Sequence, residues 1–307
     1  MRLGDLTVHI VQDGGFRLDG GAMFGVVPKP LWERVKPADE RNRIQMTTNC
    51  LLVETGDELV LIDTGLGDKM DAKLRDIYGL EEGARRLPEA IRATGHEPEE
   101  VTQVVLTHLH FDHCGWNTIQ DGERLIPTFP NARYWIERRE AEHAREPNER
   151  DRASYDPRNF EPLFEAGVVE LFEDEAEPAA GVRAVRVPGH NEGHCIVLLD
   201  GGGGQRAVFW VDLVPTVGHL LYPWIMGYDL YPMLTLENKK LWLPRACEEG
   251  WLCLFEHDAE VPMARLEEER PGRFRAVPVT EAAELVSAGE AADTRPAATS
   301  GRELNGD

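Results

Sequence analysis

Between Thr107 and Trp116 the chain reads THLHFDHCGW, which puts His108, His110, Asp112 and His113 within six residues. Imidazole and carboxylate together form the donor set of divalent zinc, iron or cobalt. The run follows VTQVVL, an apolar strand pattern. At a strand end the chain turns, and side chains can converge into one cavity. Burying three histidines and an aspartate is costly unless each finds a partner, and a cation serves all four. The spacing H-x-H-x-D-H behind a buried strand therefore reads as a metal site. Three later segments add ligand types behind strand patterns: His190 and His194 in PGHNEGH, Asp212 in VFWVD, and His257 in LFEHD.

In this order the motifs resemble the signature of the metallo-β-lactamase superfamily. The resemblance implies a dinuclear site. His108, His110 and His190 would hold the first metal, and Asp112, His113 and His257 the second, with Asp212 bridging both. Two divalent ions are implied, zinc first, with manganese, iron and cobalt accepted by the same donors. A water between them, deprotonated near neutral pH, would be the nucleophile. Asp63, in LVLIDTG, matches a position that orients a ligand without touching the metal. His194 is expected beside the site. Cys114 and Cys195 adjoin ligand motifs and read as small buried apolar groups.

Fold and metal do not fix the substrate. A longer string narrows it: LDGGAMFGVVPKPLW over residues 18–32 resembles the YtnP-type quorum-quenching lactonases. So do GHNEGH, DLVPTVGH (212–219), PWIMGYDLYPM (223–233) and FEHDAE. That likeness implies opening of the lactone ring of N-acyl-homoserine lactones by the metal-bridging hydroxide, with Asp112 as general acid. It implies substrate contacts from Phe111, Phe24, His219 and Tyr228. Met23, Trp116, Leu221, Trp224, Ile225 and Met226 are further candidates for an acyl groove. One position departs from the pattern. Many homoserine lactonases of the superfamily carry a tyrosine three residues after the bridging aspartate, and here Pro215 stands there. Tyr228 or His219 would replace its hydroxyl, or the preferred lactone differs. The alternatives are a phosphotriesterase or a thioesterase on the same metals, then an iron oxidoreductase. The full second-metal set argues against mononuclear iron.

The elements that must position these residues follow from hydrophobic periodicity. Strand patterns cover Leu6–Val11, Cys50–Glu54, Leu59–Ile62, Val101–Thr107, Ala132–Ile136, Val168–Phe172, Val182–Val187, Cys195–Leu199 and Ala207–Val211. Helical patterns cover Lys69–Tyr78, Pro88–Thr94, Arg138–Arg145 and Leu234–Glu249. Strands in groups with helices between them predict an α/β protein with stacked sheets covered by helices, and the resemblance implies the four-layer αβ/βα sandwich of the metallo-β-lactamase type. Asp200–Gly204 (DGGGG) predicts a hairpin turn, and the polar stretch 146–158 an exposed loop.

Composition sets outer limits. The formal net charge is −22, from 33 basic and 55 acidic residues. A nucleic-acid partner would need a clustered basic face, and anionic lipid would repel this chain. The expected partner is a small molecule, and the expected assembly a monomer or homodimer. Five irregularly spaced cysteines and no signal-like N-terminus lead to a cytoplasmic expectation. A catalytic domain is expected over residues 1–284. Residues 285–307, poor in large apolar side chains, read as a disordered tail.

Overall fold

The computed structural model describes residues 1–80 and 86–280, so the tail expected over 285–307 lies outside the described residues. Two seven-stranded sheets carry the chain. The first runs, edge to edge, Arg2–Leu3, Leu6–Asp19, Arg43–Glu54, Leu59–Ile62, Gln103–Leu106, Arg133–Glu137 and Val169–Phe172. The second runs Glu175–Ala179, Val182–Arg186, Cys195–Asp200, Arg206–Phe209, Leu252–Leu254, Met263–Arg270 and Arg273–Pro278. Both mix parallel and antiparallel pairs.

Side chains alternate between the two faces of a strand, and the cores divide accordingly. Leu51, Val53, Val60, Ile62 and Val105 of the first sheet meet Cys195, Val197, Leu199, Ala207 and Phe209 of the second in one central core. Their neighbours Cys50, Leu52, Leu59, Leu61, Val104 and Leu106 face outward. There they meet Leu87 and Ile91 of the helix Leu87–Arg92, and Ala141 and Ala144 of the helix Arg138–Arg145. On the far side Ile196, Leu198 and Val208 pack on Trp242, Leu243 and Ala246 of the helix Pro232–Glu248. The four-layer αβ/βα sandwich follows from this alternation. No helix among the described residues is long and apolar enough to cross a membrane.

The structure extends some expected elements and adds others. The strand expected to end at Val11 continues to Asp19 through an irregularity between Gln12 and Gly15. QDGG reads as a turn, but here it is a bulge that turns Asp13 inward. The Asp13 carboxylate accepts from the backbone of Leu66, Gly67 and Leu87 and from the Trp116 indole. The hairpin Met263–Arg270/Arg273–Pro278 is hidden in sequence by its charge: past Met263 and Ala264 only Leu266 and Phe274 are buried, and Arg273–Pro278 forms the sheet edge.

This topology gathers strand ends. Leu59–Ile62 and Gln103–Leu106 are parallel neighbours, so Asp63 and the Thr107–His113 turn emerge together. Arg206–Phe209 and Leu252–Leu254 are parallel neighbours in the other sheet, so Asp212 and His257 emerge together. A hydrogen bond from the Cys195 N–H to the Thr107 carbonyl, 3.0 Å, ties the two sheets at this rim.

Candidate metal centre

The histidines and aspartates facing the cavity form two groups, and a third cluster, Asp63, His113 and Glu256, lies behind His113. His108, His110, His190 and Asp212 make one, and Asp112, His113 and His257 the other. His190 Nε2 stands 3.0 Å from His110 Nδ1, and His257 Nε2 stands 3.2 Å from His113 Nε2. Asp212 lies between the groups. Its Oδ2 is 3.0 Å from His190 Nε2, 3.5 Å from His113 Nε2 and 3.6 Å from His108 Nε2, and its Oδ1 is 3.1 Å from His257 Nε2. Asp112 is looser, 3.8 Å from His113 Nε2 and 3.9 Å from His257 Nε2. Val211, just before Asp212, holds φ at 50°. A β-branched residue there carries backbone strain of about 1–3 kcal/mol, which marks the turn as functionally constrained.

The outer nitrogens fix which way each ring presents its lone pair. His190 Nδ1 donates to Asp229 Oδ1 at 3.0 Å, and Asp229 Oδ2 accepts from Thr235 Oγ1 at 2.6 Å. His257 Nδ1 donates to the Thr47 carbonyl at 2.9 Å. His113 Nδ1 donates to Asp63 Oδ2 at 3.1 Å. Asp63 also accepts from Thr107 Oγ1 at 2.6 Å and Thr107 N at 2.8 Å. With its hydrogen committed to Asp63, Thr107 Oγ1 can only accept from His108 Nδ1, 3.2 Å away. One carboxylate thus orients a histidine of each group, directly and through a hydroxyl. Asp63 has φ 56°, a left-handed conformation that Asp and Asn tolerate better than most residues.

The donors fit divalent metals. With their Nδ1 protons spent outward, His113 and His257 face each other with Nε2 lone pairs, an arrangement that needs a cation or a proton between them. Two nitrogens about 2.0–2.1 Å from one tetrahedral ion stand about 3.3–3.4 Å apart, close to the separations here. His108 Nε2 and Asp212 Oδ1 are buried and accept or donate no hydrogen bond among the described residues. The electrostatics agree. Burial opposes charge on His257, yet Asp212 raises it to about 9. Burial likewise opposes charge on His113, but Glu256, Asp112 and Asp212 hold it well above the ordinary range. Burial and the neighbouring histidines hold His108 and His110 well below it. Asp212 thus draws positive charge to its surroundings, raising His113, His190 and His257 together, the sign of charge a cation would supply there.

The family model for the metallo-beta-lactamase superfamily matches residues 44–246, more than half of the chain. The chain belongs to this superfamily. Divalent metal ions are implied by that membership, and the two groups are where they could bind. Among solved structures, a probable metal-dependent hydrolase from Staphylococcus aureus is 30% identical, with a TM-score of 0.83, over 91% of this chain and 100% of that one. The dizinc quorum-quenching lactonase AidC, solved with its product, shares the fold at a TM-score of 0.74 and 19% identity, over 91% and 96% of the two chains. A probable metallo-hydrolase of Mycobacterium tuberculosis is 34% identical over 52% of this chain. The chain spans about half the length of that relative, 54%. An N-acyl homoserine lactonase of Bacillus thuringiensis is 24% identical over 69% of this chain and 81% of its own length.

Beside the two histidine groups opens a cavity of about 270 Å³. His110, Asp112, His190, Asp212 and His257 lie on its wall, with Leu18, Met23, Met46, Tyr78, Phe111, Met226 and Tyr228. Phe111 stacks on Tyr78, ring centroids 4.8 Å apart. Burial, with Tyr78 and Asp112 nearby, raises the Tyr228 phenol above its ordinary range, so it stays a proton donor. Phe24 and His219 take a different place from the one expected. Phe24 is fully buried, sandwiched between His219 at 4.5 Å and Trp32 at 5.4 Å. His219 uses both ring nitrogens, on the Met23 carbonyl and Thr216 Oγ1. They buttress the cavity wall from behind, because an aromatic near the site in sequence fills the core more easily than it lines a cleft. Trp116 likewise packs inward on Asp13.

His194 lies outside both groups, its Nε2 accepting from the Asp212 N–H at 3.2 Å. Cys114 and Cys195 are buried free thiols outside the groups. The polar segment expected as an exposed loop instead supplies Arg150, Asp151, Ala153 and Ser154 to the cavity. The Phe111 N–H donates to the Ser154 carbonyl at 2.8 Å and His110 bridges to Tyr155, which pins the segment to the metal turn. Sequence reading also missed Thr107 and Glu256, while Asp229, expected near the site as a substrate contact, instead accepts from His190. Only Glu256 carried a local signal, as a charge inside an apolar strand end beside His257. Burial lifts its carboxyl to about 8.

Proposed function

We propose that the chain is a dinuclear metal-dependent hydrolase that opens the lactone ring of N-acyl-homoserine lactones. The observation that carries the reading is the meeting of two histidine groups on one carboxylate, Asp212, at the wall of a largely apolar cavity. His108, His110 and His190 would hold one ion and Asp112, His113 and His257 the other, with Asp212 between the two groups available to either. Zinc suits this donor set, and manganese, iron and cobalt accept it too. When bound, the ions supply Lewis acidity toward the carbonyl and the leaving oxygen and lower the pKa of a coordinated water.

The chain's own residues do the rest. Tyr228 keeps its phenol proton and offers it to the substrate carbonyl, the task that Pro215 cannot perform. Asp112 carries a proton to the alkoxide that leaves when the ring opens. Phe111, Tyr78, Met46 and Met226 take the acyl tail, where each buried methylene contributes about 0.8 kcal/mol. No covalent bond to the protein is required. Five free thiols suit a reducing cytoplasm.

A pH-stat assay over a series of acyl lengths tests this, with metal content measured on the same sample. Ring opening releases a proton, so turnover is read directly. The expected result is proton release from N-acyl-homoserine lactones that rises with chain length and vanishes on chelation. Turnover of a thioester or an aryl phosphotriester with no lactone opening would overturn it.

A further inference from the structure

Four imidazoles of the two groups are held at the ring nitrogen that points outward. His190 rests on Asp229, His257 on the Thr47 carbonyl, His113 on Asp63 and His108 on Thr107. His110 differs. Its Nδ1 faces His190 Nε2 at 3.0 Å, and its Nε2, also buried, has no hydrogen-bond partner among the described residues. A metal-ligating imidazole is ordinarily oriented through its second nitrogen by a carboxylate, a carbonyl or a water. Against His110 stands an aromatic ring instead. The Tyr155 ring meets it edge-on, centroids 4.8 Å apart and planes at 70°, the geometry of a T-shaped aromatic pair. The two residues also form an isolated antiparallel bridge, so backbone and ring hold the same partner. Tyr155 is fixed at its far end. Its hydroxyl donates to Glu140 Oε1 at 3.2 Å and accepts from Asn191 Nδ2 at 3.2 Å, and Glu140 Oε1 also accepts from the Leu109 N–H at 2.7 Å. All three residues are buried, where such bonds are stronger than in water. Leu109 lies between His108 and His110, and Asn191 follows His190, so every link ends beside a member of one group.

We propose that Tyr155 is the positioning residue for His110 and, through it, for the ion of the His108, His110 and His190 group. The ring does for this imidazole what an acceptor atom does for the other four. The hydroxyl, through Glu140 and Asn191, keeps the turns that carry His108, His110 and His190 in register. Tyr155 does not line the cavity beside the two groups, so it acts through His110 and not on the substrate. The proposal rests on the reading of the two groups as metal sites, and is independent of which ester the enzyme opens.

The test compares wild type, Tyr155→Phe, Tyr155→Leu and Tyr155→Met by zinc competition with a chromophoric chelator, resolved into two binding steps. His190→Ala, which lacks a donor of the first group, marks the step that belongs to that group. Tyr155→Leu and Tyr155→Met remove the ring and should weaken this step about 10- to 100-fold, the scale of losing a group that orients a ligand, with the other step near wild type. Tyr155→Phe keeps the ring, gives up the hydroxyl and should fall between wild type and the ringless variants. Cobalt loaded into the same chains reads the geometry: the visible spectrum of the first-group ion should change in the ringless variants and persist in Tyr155→Phe. Equal weakening of both steps, no weakening of either, or a Tyr155→Phe loss as deep as that of the ringless variants overturns the proposal. Failure of both ringless variants to fold makes Tyr155 a core residue and overturns it too. A wild type that binds no zinc defeats the metal-site reading itself, and the proposal with it.

Discussion

Replacing Asp63 by Asn tests how the site is held together. The backbone there is left-handed, φ 56°, and Asn tolerates that conformation as well as Asp does. The perturbation is therefore confined to the side chain. Asn keeps one acceptor for the Thr107 N–H but places an NH2 where Oδ2 stood. The Thr107 hydroxyl can rotate and accept from it. His113 is left with a donor facing its Nδ1–H and only Glu256 Oε2, 3.1 Å away, to hold that proton; otherwise the proton moves to Nε2, the nitrogen that faces His257. Two hydrogen bonds to a charged acceptor, at 2.6 and 3.1 Å, are weakened or lost. At about 1.5–3 kcal/mol each when intact, their partial loss should cost the fold about 2–4 kcal/mol. Metal affinity should fall about 10- to 100-fold. The loss should fall mainly on one of the two ions, because His108 keeps its acceptor on Thr107. Competition with a chromophoric chelator, resolved into two binding steps, reads this directly, with urea unfolding for stability. Wild-type affinity at both steps would refute the orienting role of Asp63.

Phe24→Ala should lose about 3–5 kcal/mol of stability, as large aromatic core truncations do, which chemical unfolding would measure. A stable variant with altered substrate preference would return Phe24 to the substrate. Tyr228→Phe should fold normally and lose about 100- to 1,000-fold in kcat, the scale of one missing donor to a developing oxyanion; unchanged kinetics would remove it from the reaction. Glu140 is fully buried, and burial raises its carboxyl from 4.5 to about 7. The folded state then binds more protons than the unfolded one between these values. Its contribution is complete below about pH 4.5 and is lost as pH rises through about 7, by up to about 3 kcal/mol. Relative to wild type, Glu140→Gln should therefore gain stability as pH rises across that window in urea titrations, and parallel pH profiles would contradict it.

The layers and the clustering of histidines and aspartates at the rim were legible for the same reason: both are written in short-range pattern. Alternation in Cys50–Glu54 and Cys195–Leu199 assigns each side chain to a face before any contact is known. Four ligand types between His108 and His113 declare a metal without help from the rest of the chain. The partners that aim those ligands are written in no such pattern. Asp229 reaches His190 from 39 residues away, and Thr47 reaches His257 from 210. Such pairings exist only once the sheets are stacked. Composition misled where burial runs against polarity. The 146–158 segment is rich in charge, yet Asp151 and Tyr155 are buried beside the metal turn. Phe24 looked like a substrate contact by its place in a motif, but it has a ring stacked on each face.

The account stands on the two histidine groups acting as one binuclear site across Asp212. Native mass spectrometry of the protein loaded with zinc measures this most directly, with Asp212→Ala beside the wild type. The wild type should carry two ions per chain, and the variant should lose the pairing and retain at most one weakly. A wild type that binds a single ion, or an Asp212→Ala chain that still holds two with undiminished affinity, would contradict it.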